Sequence, residues 1–276
     1  MAKFDDGREV DLLHYIFDLP NLSTLRGDPA AVLRAIDDYG RTKKFLMNVG
    51  LDKGAIITDL IATHKPAVMV ELGAYIGYSA VLFGDAVRKA GGKQYFSLER
   101  NPAFAAVVMC LVDLAGLGDF VKVVVGGSAE SITRLHEDGE LKRIDLMFLD
   151  HYKPAYTSDL KLCEHLGLVG VGTLLAADNV IKPGNPPYLE YVRRSVKEKR
   201  EKFETSEEGA GKNGVDQRFE SRTTDQYRSR LGEEKLSTAI KGNPNLVYES
   251  RLVHSYEPTG APDGVEITKC VGEERT

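Results

Sequence analysis

The hydrophobic positions of the chain follow two rhythms. Over the first 65 residues they recur every three or four positions, as in "RGDPAAVLRAIDDYGRTKKF", where Val32, Ile36 and Tyr39 line one stripe. That period predicts N-terminal helices. Asp28 is placed to cap the free amides of this helix and Pro29 fits its first turn, and a second helix follows in "KGAIITDLIATH". From residue 67 the pattern becomes short continuous apolar runs, "AVMVEL", "QYFSLE", "VKVVVG", "IDLMFLD" and "GTLLAAD", with helical stretches such as "NPAFAAVVMCLVDLAGL" between them. Runs that are apolar throughout belong to strands covered on both faces, so the pattern predicts βαβ units in a parallel sheet. Near the end, "LVYESRLV" and "GVEITKCVG", joined by the turn-rich "HSYEPTGAPDG", predict a closing antiparallel hairpin.

Residues 197 to 245 fit neither rhythm, being rich in charge, Gly and Ser and poor in large aliphatics. They predict a charged surface insertion, partly helical or mobile, on a single domain spanning residues 1–276. With 42% hydrophobic and 28% charged residues, a chain of this length can bury one large core. A net charge of -5 gives no general electrostatic reason to bind nucleic acid, which favours a small-molecule partner. A monomer is expected, though no feature of the sequence fixes the oligomeric state. Cys110, Cys163 and Cys270 are odd in number, lack CxxC spacing and sit in apolar surroundings, so they read as reduced core thiols. The opening "MAKFDDGREVDLLHY" has early acidic residues and no apolar leader, and no later window holds ~18 uninterrupted apolar residues. The expectation is a cytoplasmic protein with no membrane span.

Ligands of open parallel sheets bind at the carboxyl ends of the strands. At the end of the first strand, "VELGAYIGYS" leads through glycines into a helix, a junction that brings backbone close to a ligand and offers free amides. The spacing of Glu71, Gly73 and Gly77 is E-x-G-x-x-x-G, which argues against a dinucleotide and its pyrophosphate. An acidic residue there suits a ligand with a cationic group, such as an amino acid moiety. Glu99 ends the second strand, roughly 20 or more residues after the glycines, where ribose hydroxyls are held in nucleotide-type folds. An adenosine-containing cofactor follows. Two further strands end in Asp150 ("MFLDHYK") and in Asp178 and Asn179 ("LLAADNVI"). Two carboxylates and an amide oxygen, with no Cys or paired His nearby, suit octahedral Mg²⁺ better than Zn²⁺.

With these pieces assembled, the chain resembles the catechol O-methyltransferase family. "MNVGLDKG", "ELGAYIGYSA", "VDLAGL", "FLDHYK" and "ADNVIKPG" stand in the family's order and approximate spacing, with a weaker return at "SYEPTGAPDGVEITKCVG". The resemblance implies a Rossmann-like class I methyltransferase fold: a seven-stranded, mostly parallel sheet with helices on both faces and an antiparallel final strand. It implies S-adenosylmethionine over the loop at Gly73 and Tyr75, with Met47 and Val49 near its amino acid end. Glu71 and Ser79 would hold its polar atoms, Glu99 the ribose, and Ser128 with His151 would border the adenine. Ala129 follows Ser128 where the animal enzymes carry a glutamine that touches adenine.

The resemblance also implies the chemistry. A catechol hydroxyl titrates near ~10 and is a poor nucleophile at neutral pH; binding both oxygens to Mg²⁺ favours the catecholate and fixes the ring. Lys153 would act as general base, its pKa lowered by the cation and by partial burial. Glu257 would accept a hydrogen bond from the second hydroxyl, with Asp263, placed like a turn residue before Gly264, as the other acidic residue of that segment. Phe45, Tyr152 and Pro183 would wall the acceptor, Phe45 and Tyr152 standing where the animal enzymes have tryptophans, so a bulkier plant-derived or microbial phenol is admitted. Three other readings are a nicotinamide-dependent reductase, a metal-dependent methyltransferase of phenylpropanoid-type acceptors, and a non-catalytic cofactor- or phenol-binding module. The missing G-x-G-x-x-G turn argues against the first, "MNVGLDKG" against the second, and the presence of Lys153 and all three metal ligands against the third.

Overall fold

A computed structural model describes residues 4–205, 214–219 and 236–274. Three helices come first: α1 (Arg8–Phe17), α2 (Pro29–Thr42) and α3 (Gly50–His64). The Asp28 side chain accepts a hydrogen bond from the Ala31 amide at 3.0 Å and Pro29 opens α2, as the sequence predicts. Strands and helices then alternate: β1 (Val68–Leu72), α4 (Tyr78–Lys89), β2 (Gln94–Glu99), α5 (Pro102–Leu114), β3 (Val121–Val125), α6 (Ser128–Glu137), β4 (Leu146–Leu149), α7 (Tyr156–His165) and β5 (Leu174–Ala177). After α8 (Pro186–Arg193) and α9 (Val196–Thr205), β6 (Leu246–Tyr256) and β7 (Pro262–Glu273) form the closing hairpin.

The seven strands stand in the order β3-β2-β1-β4-β5-β7-β6, and β7 runs antiparallel to β5. The order turns back at β1, which with right-handed crossovers carries helices to both faces of the sheet. This is the Rossmann-like class I methyltransferase fold. Every residue of β4 and β5 is buried, as continuously apolar strands require, whereas the edge strand β3 exposes Lys122 and Val125.

The chain gathers into two compact units, Met1–Ser131 with Tyr256–Ala261, and Ile132–Ser255 with Pro262–Thr276. In the first, β1 pairs in parallel with β2 from Val68 opposite Gln94 to Leu72 opposite Leu98, and β2 pairs in parallel with β3. In the second, β4 pairs in parallel with β5, and β5 with β7 from Leu174 opposite Lys269 to Ala177 opposite Glu266.

One expectation fails. Cys163 and Cys270 are buried free thiols, but Cys110 is exposed. Its apolar sequence neighbours Val107, Val108, Leu111 and Val112 follow helical spacing onto the buried face of α5, and Cys110 falls on the opposite face. The predicted insertion begins with helix α9, while its residues 206–213 and 220–235 lie outside the described residues.

Candidate active site

In the first unit the chain leaves β1 through Gly73, whose amide donates to the Leu98 carbonyl at 2.9 Å. Gly73 (φ 90), Tyr75 (φ 50) and Gly77 (φ 83) all lie in the left-handed region, so the turn folds sharply back into α4. A positive φ strains a bulky residue such as Tyr75. Contacts on both backbone and side chain hold it. The Tyr75 amide donates to Glu99 Oε2 at 2.9 Å, its hydroxyl donates to Glu9 Oε1 at 2.9 Å, and its ring meets Phe104 edge-on at 5.4 Å. Burial and the Glu9 carboxylate raise the pKa of the Tyr75 hydroxyl well above the usual phenol range.

Glu99 organises this loop. Its Oε2 also accepts from the Ala74 amide at 3.1 Å and its Oε1 from the Asn101 amide at 2.8 Å. Desolvation raises its pKa, and the amide bonds oppose that shift. The Arg100 amide bonds it as well, so this carboxylate is held as an acceptor at the end of β2 by backbone amides on both sides. Glu71 is fully buried, its Oε2 accepting from the Ser97 hydroxyl at 2.7 Å. Val49 and Ser79 are buried, Phe45 and Ser128 are half-buried, and Met47 is 38% exposed, a large apolar side chain left open to a ligand. The Phe45 carbonyl accepts a bond from Arg8, which Asp6 holds in turn.

Glu257 belongs to the same unit and forms an ion pair with Lys53 of α3, whose side chain is wholly buried. Backbone packing fixes this turn. A Cβ at Gly50 (φ 70) would stand 2.8 Å from the Pro258 ring, so only glycine lets residues 257–261 approach the start of α3. The Glu257 amide bonds the Ala261 carbonyl at 2.9 Å and closes the turn.

The second unit collects the polar ends of β4 and β5. Lys153 is buried and donates to Asp150 Oδ1 at 2.7 Å and to the Tyr156 hydroxyl at 2.8 Å. The Tyr156 hydroxyl donates to the Asp178 carbonyl at 3.2 Å, and Asn185 Nδ2 donates to the Lys153 carbonyl at 2.8 Å. Both ends of the lysine are thereby held. His151 Nε2 lies 2.8 Å from Asp159 Oδ2 and its ring stacks on Tyr156, with centroids 4.9 Å apart. Its buried Nδ1 has no hydrogen-bond partner among the described residues, which fits a ligand atom there. Tyr152 is half-buried and Pro183 exposed.

Asp178 is 2% exposed and takes the Asn179 amide on its Oδ1 at 2.7 Å. A carboxylate buried to this degree requires a compensating charge or donor set. Asn179 adopts a left-handed conformation (φ 58, ψ 35), and its Nδ2 donates to Asp263 Oδ2 at 2.9 Å. Asp150, Asp178 and the Asn179 amide, all on one unit, offer only oxygen atoms, the donor type that a hard cation takes together with water.

Sequence reasoning passed over Lys53, Tyr156 and Asn185 and read Asp263 as turn chemistry. Lys53 lies inside "MNVGLDKG", but a lysine on a helix is ordinarily a solvated one. Asp263 is in fact buried and bonds the Ile181 and Lys182 amides at 3.1 and 2.8 Å.

A family model described as O-methyltransferase matches residues 33–204. The chain belongs to the O-methyltransferase family. Catechol O-methyltransferase of Bos taurus is 44% identical over 167 residues, 60% of this chain and 61% of that protein. Transmembrane O-methyltransferase of Homo sapiens is 36% identical over 170 residues, 61% of this chain and 58% of that protein. The chain thus matches about three fifths of the length of these curated relatives. Among solved structures, the O-methyltransferase of Bacillus cereus, crystallised in complex with SAH, has a TM-score of 0.54 at 17% identity, covering 95% of this chain and 96% of its own; this likeness speaks for the fold. Among the described residues no helix is long and apolar enough to cross a membrane.

Proposed function

We propose that the protein transfers a methyl group from S-adenosylmethionine to one hydroxyl of a Mg²⁺-bound catechol. The observation that carries this reading is the pair Lys153 and Asp150: a buried amine held 2.7 Å from a carboxylate at the end of β4 and linked through the Tyr156 hydroxyl to the Asp178 carbonyl at the end of β5. A general base must be positioned before its proton affinity matters, and Tyr156, Asp150 and Asn185 position this one.

On this reading Asp150, Asp178 and Asn179 hold the cation and Glu99 the ribose. The Gly73 loop, with Met47, Val49, Glu71, Tyr75 and Ser79, receives the methionine part of the donor, and Ser128 and His151 border its adenine. The bound cation supplies charge that favours the catecholate over the catechol. Lys153 takes the proton of the reacting hydroxyl, and the oxygen gains the methyl group as the carbon–sulfur bond breaks, releasing S-adenosylhomocysteine. Asp150 and Tyr156 stay bonded to the lysine and stabilise the ammonium formed. Glu257 accepts a bond from the second hydroxyl, held in place by Lys53. Phe45, Tyr152 and Pro183 flank the aromatic ring.

The natural acceptor is a catechol that a wall of Phe and Tyr accommodates; the chain has no tryptophan. Lys153→Met provides the test: turnover of a catechol should fall by at least about 100-fold, the low end for general-base catalysis, while S-adenosylmethionine still binds. Turnover within a factor of two of the parent would remove Lys153 from the chemistry.

A further inference from the structure

A side-chain amide offers a cation its oxygen and repels it with its NH₂, so a ligand asparagine works only when something fixes which arm faces the ion. At Asn179 the structure shows what fixes it. Asp263, 1% exposed at the start of β7, takes the Asn179 Nδ2 on its Oδ2 at 2.9 Å. Its Oδ1 takes the Ile181 and Lys182 amides at 3.1 and 2.8 Å. One buried carboxylate thereby sets both the path of the loop leaving β5 and the rotation of the amide. Close packing on the hairpin supports the arrangement. At Gly264 a Cβ would stand 2.9 Å from side-chain carbons of Ile181 and Leu252 and 3.0 Å from the Val253 carbonyl, which presses the Asp263–Gly264 step against this loop.

We infer that Asp263 is a positioning residue that turns the amide oxygen of Asn179 toward the cation. The inference rests on the proposed role of Asn179 as a metal ligand. It assigns Asp263 a different task from Glu257: both its oxygens hold donors of the β5 loop, whereas Glu257 is paired with Lys53.

The geometry gives the test a direction. In Asp263→Asn the new side chain keeps its oxygen for the two backbone amides and sets its NH₂ against the NH₂ of Asn179. One of the two must turn, and turning Asn179 presents a donor to the cation. In the exchange variant Asn179→Asp with Asp263→Asn, the bond is restored with its direction reversed, and an oxygen again faces the ion. Asn179→Asp alone adds a carboxylate but sets acceptor against acceptor. The probe is Mn²⁺, which favours the same oxygen ligands as Mg²⁺, titrated into the full chain and read as free aqua ion by electron paramagnetic resonance, with circular dichroism confirming the fold.

Asp263→Asn should weaken Mn²⁺ binding by about 10-fold or more, the usual effect of losing a group that orients a ligand. The exchange variant should return to within about threefold of the parent, and bind more tightly than Asn179→Asp alone. Unchanged binding in Asp263→Asn overturns the inference and leaves the metal role of Asn179 standing. An exchange variant as weak as Asp263→Asn, or a single Asn179→Asp that binds best of all, also overturns it, because affinity would then follow charge and not orientation. If the parent chain binds no Mn²⁺, the metal reading falls and this inference with it.

Discussion

Glu99 carries two tasks on one carboxylate, bracing the Gly73 loop through the Ala74 and Tyr75 amides and, on the proposed reading, receiving the ribose. Burial raises its pKa, so it begins to take up its proton at a higher pH than an ordinary glutamate does. A raised carboxyl pKa means the fold is favoured below the unfolded value, and that contribution is lost as pH rises through the folded value. Cofactor affinity should run the opposite way, since the acceptor is the carboxylate. Affinity for S-adenosylmethionine should fall as pH drops from neutral toward the ordinary carboxylate range. Glu99→Gln should bind about tenfold less tightly at neutral pH, the loss expected for a hydrogen bond to a charged group, and should show no such decline. Calorimetric titration across that pH range checks both.

The Lys53–Glu257 pair makes an asymmetric prediction at the same scale. Lys53 is wholly buried, while the Glu257 side chain is 24% exposed. Glu257→Ala takes a charge partner from a wholly buried ammonium and should cost about 3 kcal/mol of stability. Lys53→Met buries an apolar side chain of similar volume and leaves a carboxylate that water can reach, so it should cost under about 1 kcal/mol. Urea midpoints decide the matter; equal losses would contradict the account.

Among elements, the clearest clamp lies in the second unit, where α7, α8 and the chain entering β6 meet on Glu164. This buried carboxylate accepts from the Tyr191 hydroxyl at 2.5 Å, the Tyr248 hydroxyl at 2.6 Å and the Asn243 amide at 2.9 Å. Desolvation raises its pKa, and desolvation lowers that of nearby Lys199, which donates to the Leu246 carbonyl. A Cβ at Gly242 would collide with Glu164 Oε2 and stand 2.8 Å from the Tyr191 hydroxyl, so the chain passes here only as glycine. Glu164→Ala strands three donors and should cost about 1–3 kcal/mol, read as a lower thermal midpoint. The strands were legible because both-sided burial writes continuous apolar runs. This clamp was not, because its partners are far apart in sequence and no periodicity links Glu164 to Tyr248. Lys53 and Asp263 escaped for the same reason: each is polar, and only the fold reveals that it is buried.

For the whole molecule, the parallel βαβ sheet followed from the alternation of runs and helices and the methyltransferase fold class from the resemblance, while the strand order came only with the structure. The residues harder to read lie past the end of the family match at 204, on a hairpin reached only after the charged segment. Glu257 and Asp263, six residues apart, were ambiguous as letters and differ in their partners, Glu257 pairing with Lys53 and Asp263 taking amides of the loop after β5.

The central claim is metal-dependent methyl transfer to a paired hydroxyl. Its most direct test is methyl transfer from S-adenosylmethionine to a panel of catechols and matched monophenols, with Mg²⁺ and with EDTA. The account predicts methylation of catechols only, abolished by EDTA and restored by excess Mg²⁺. Equal turnover of monophenols, or turnover that survives EDTA, would contradict it.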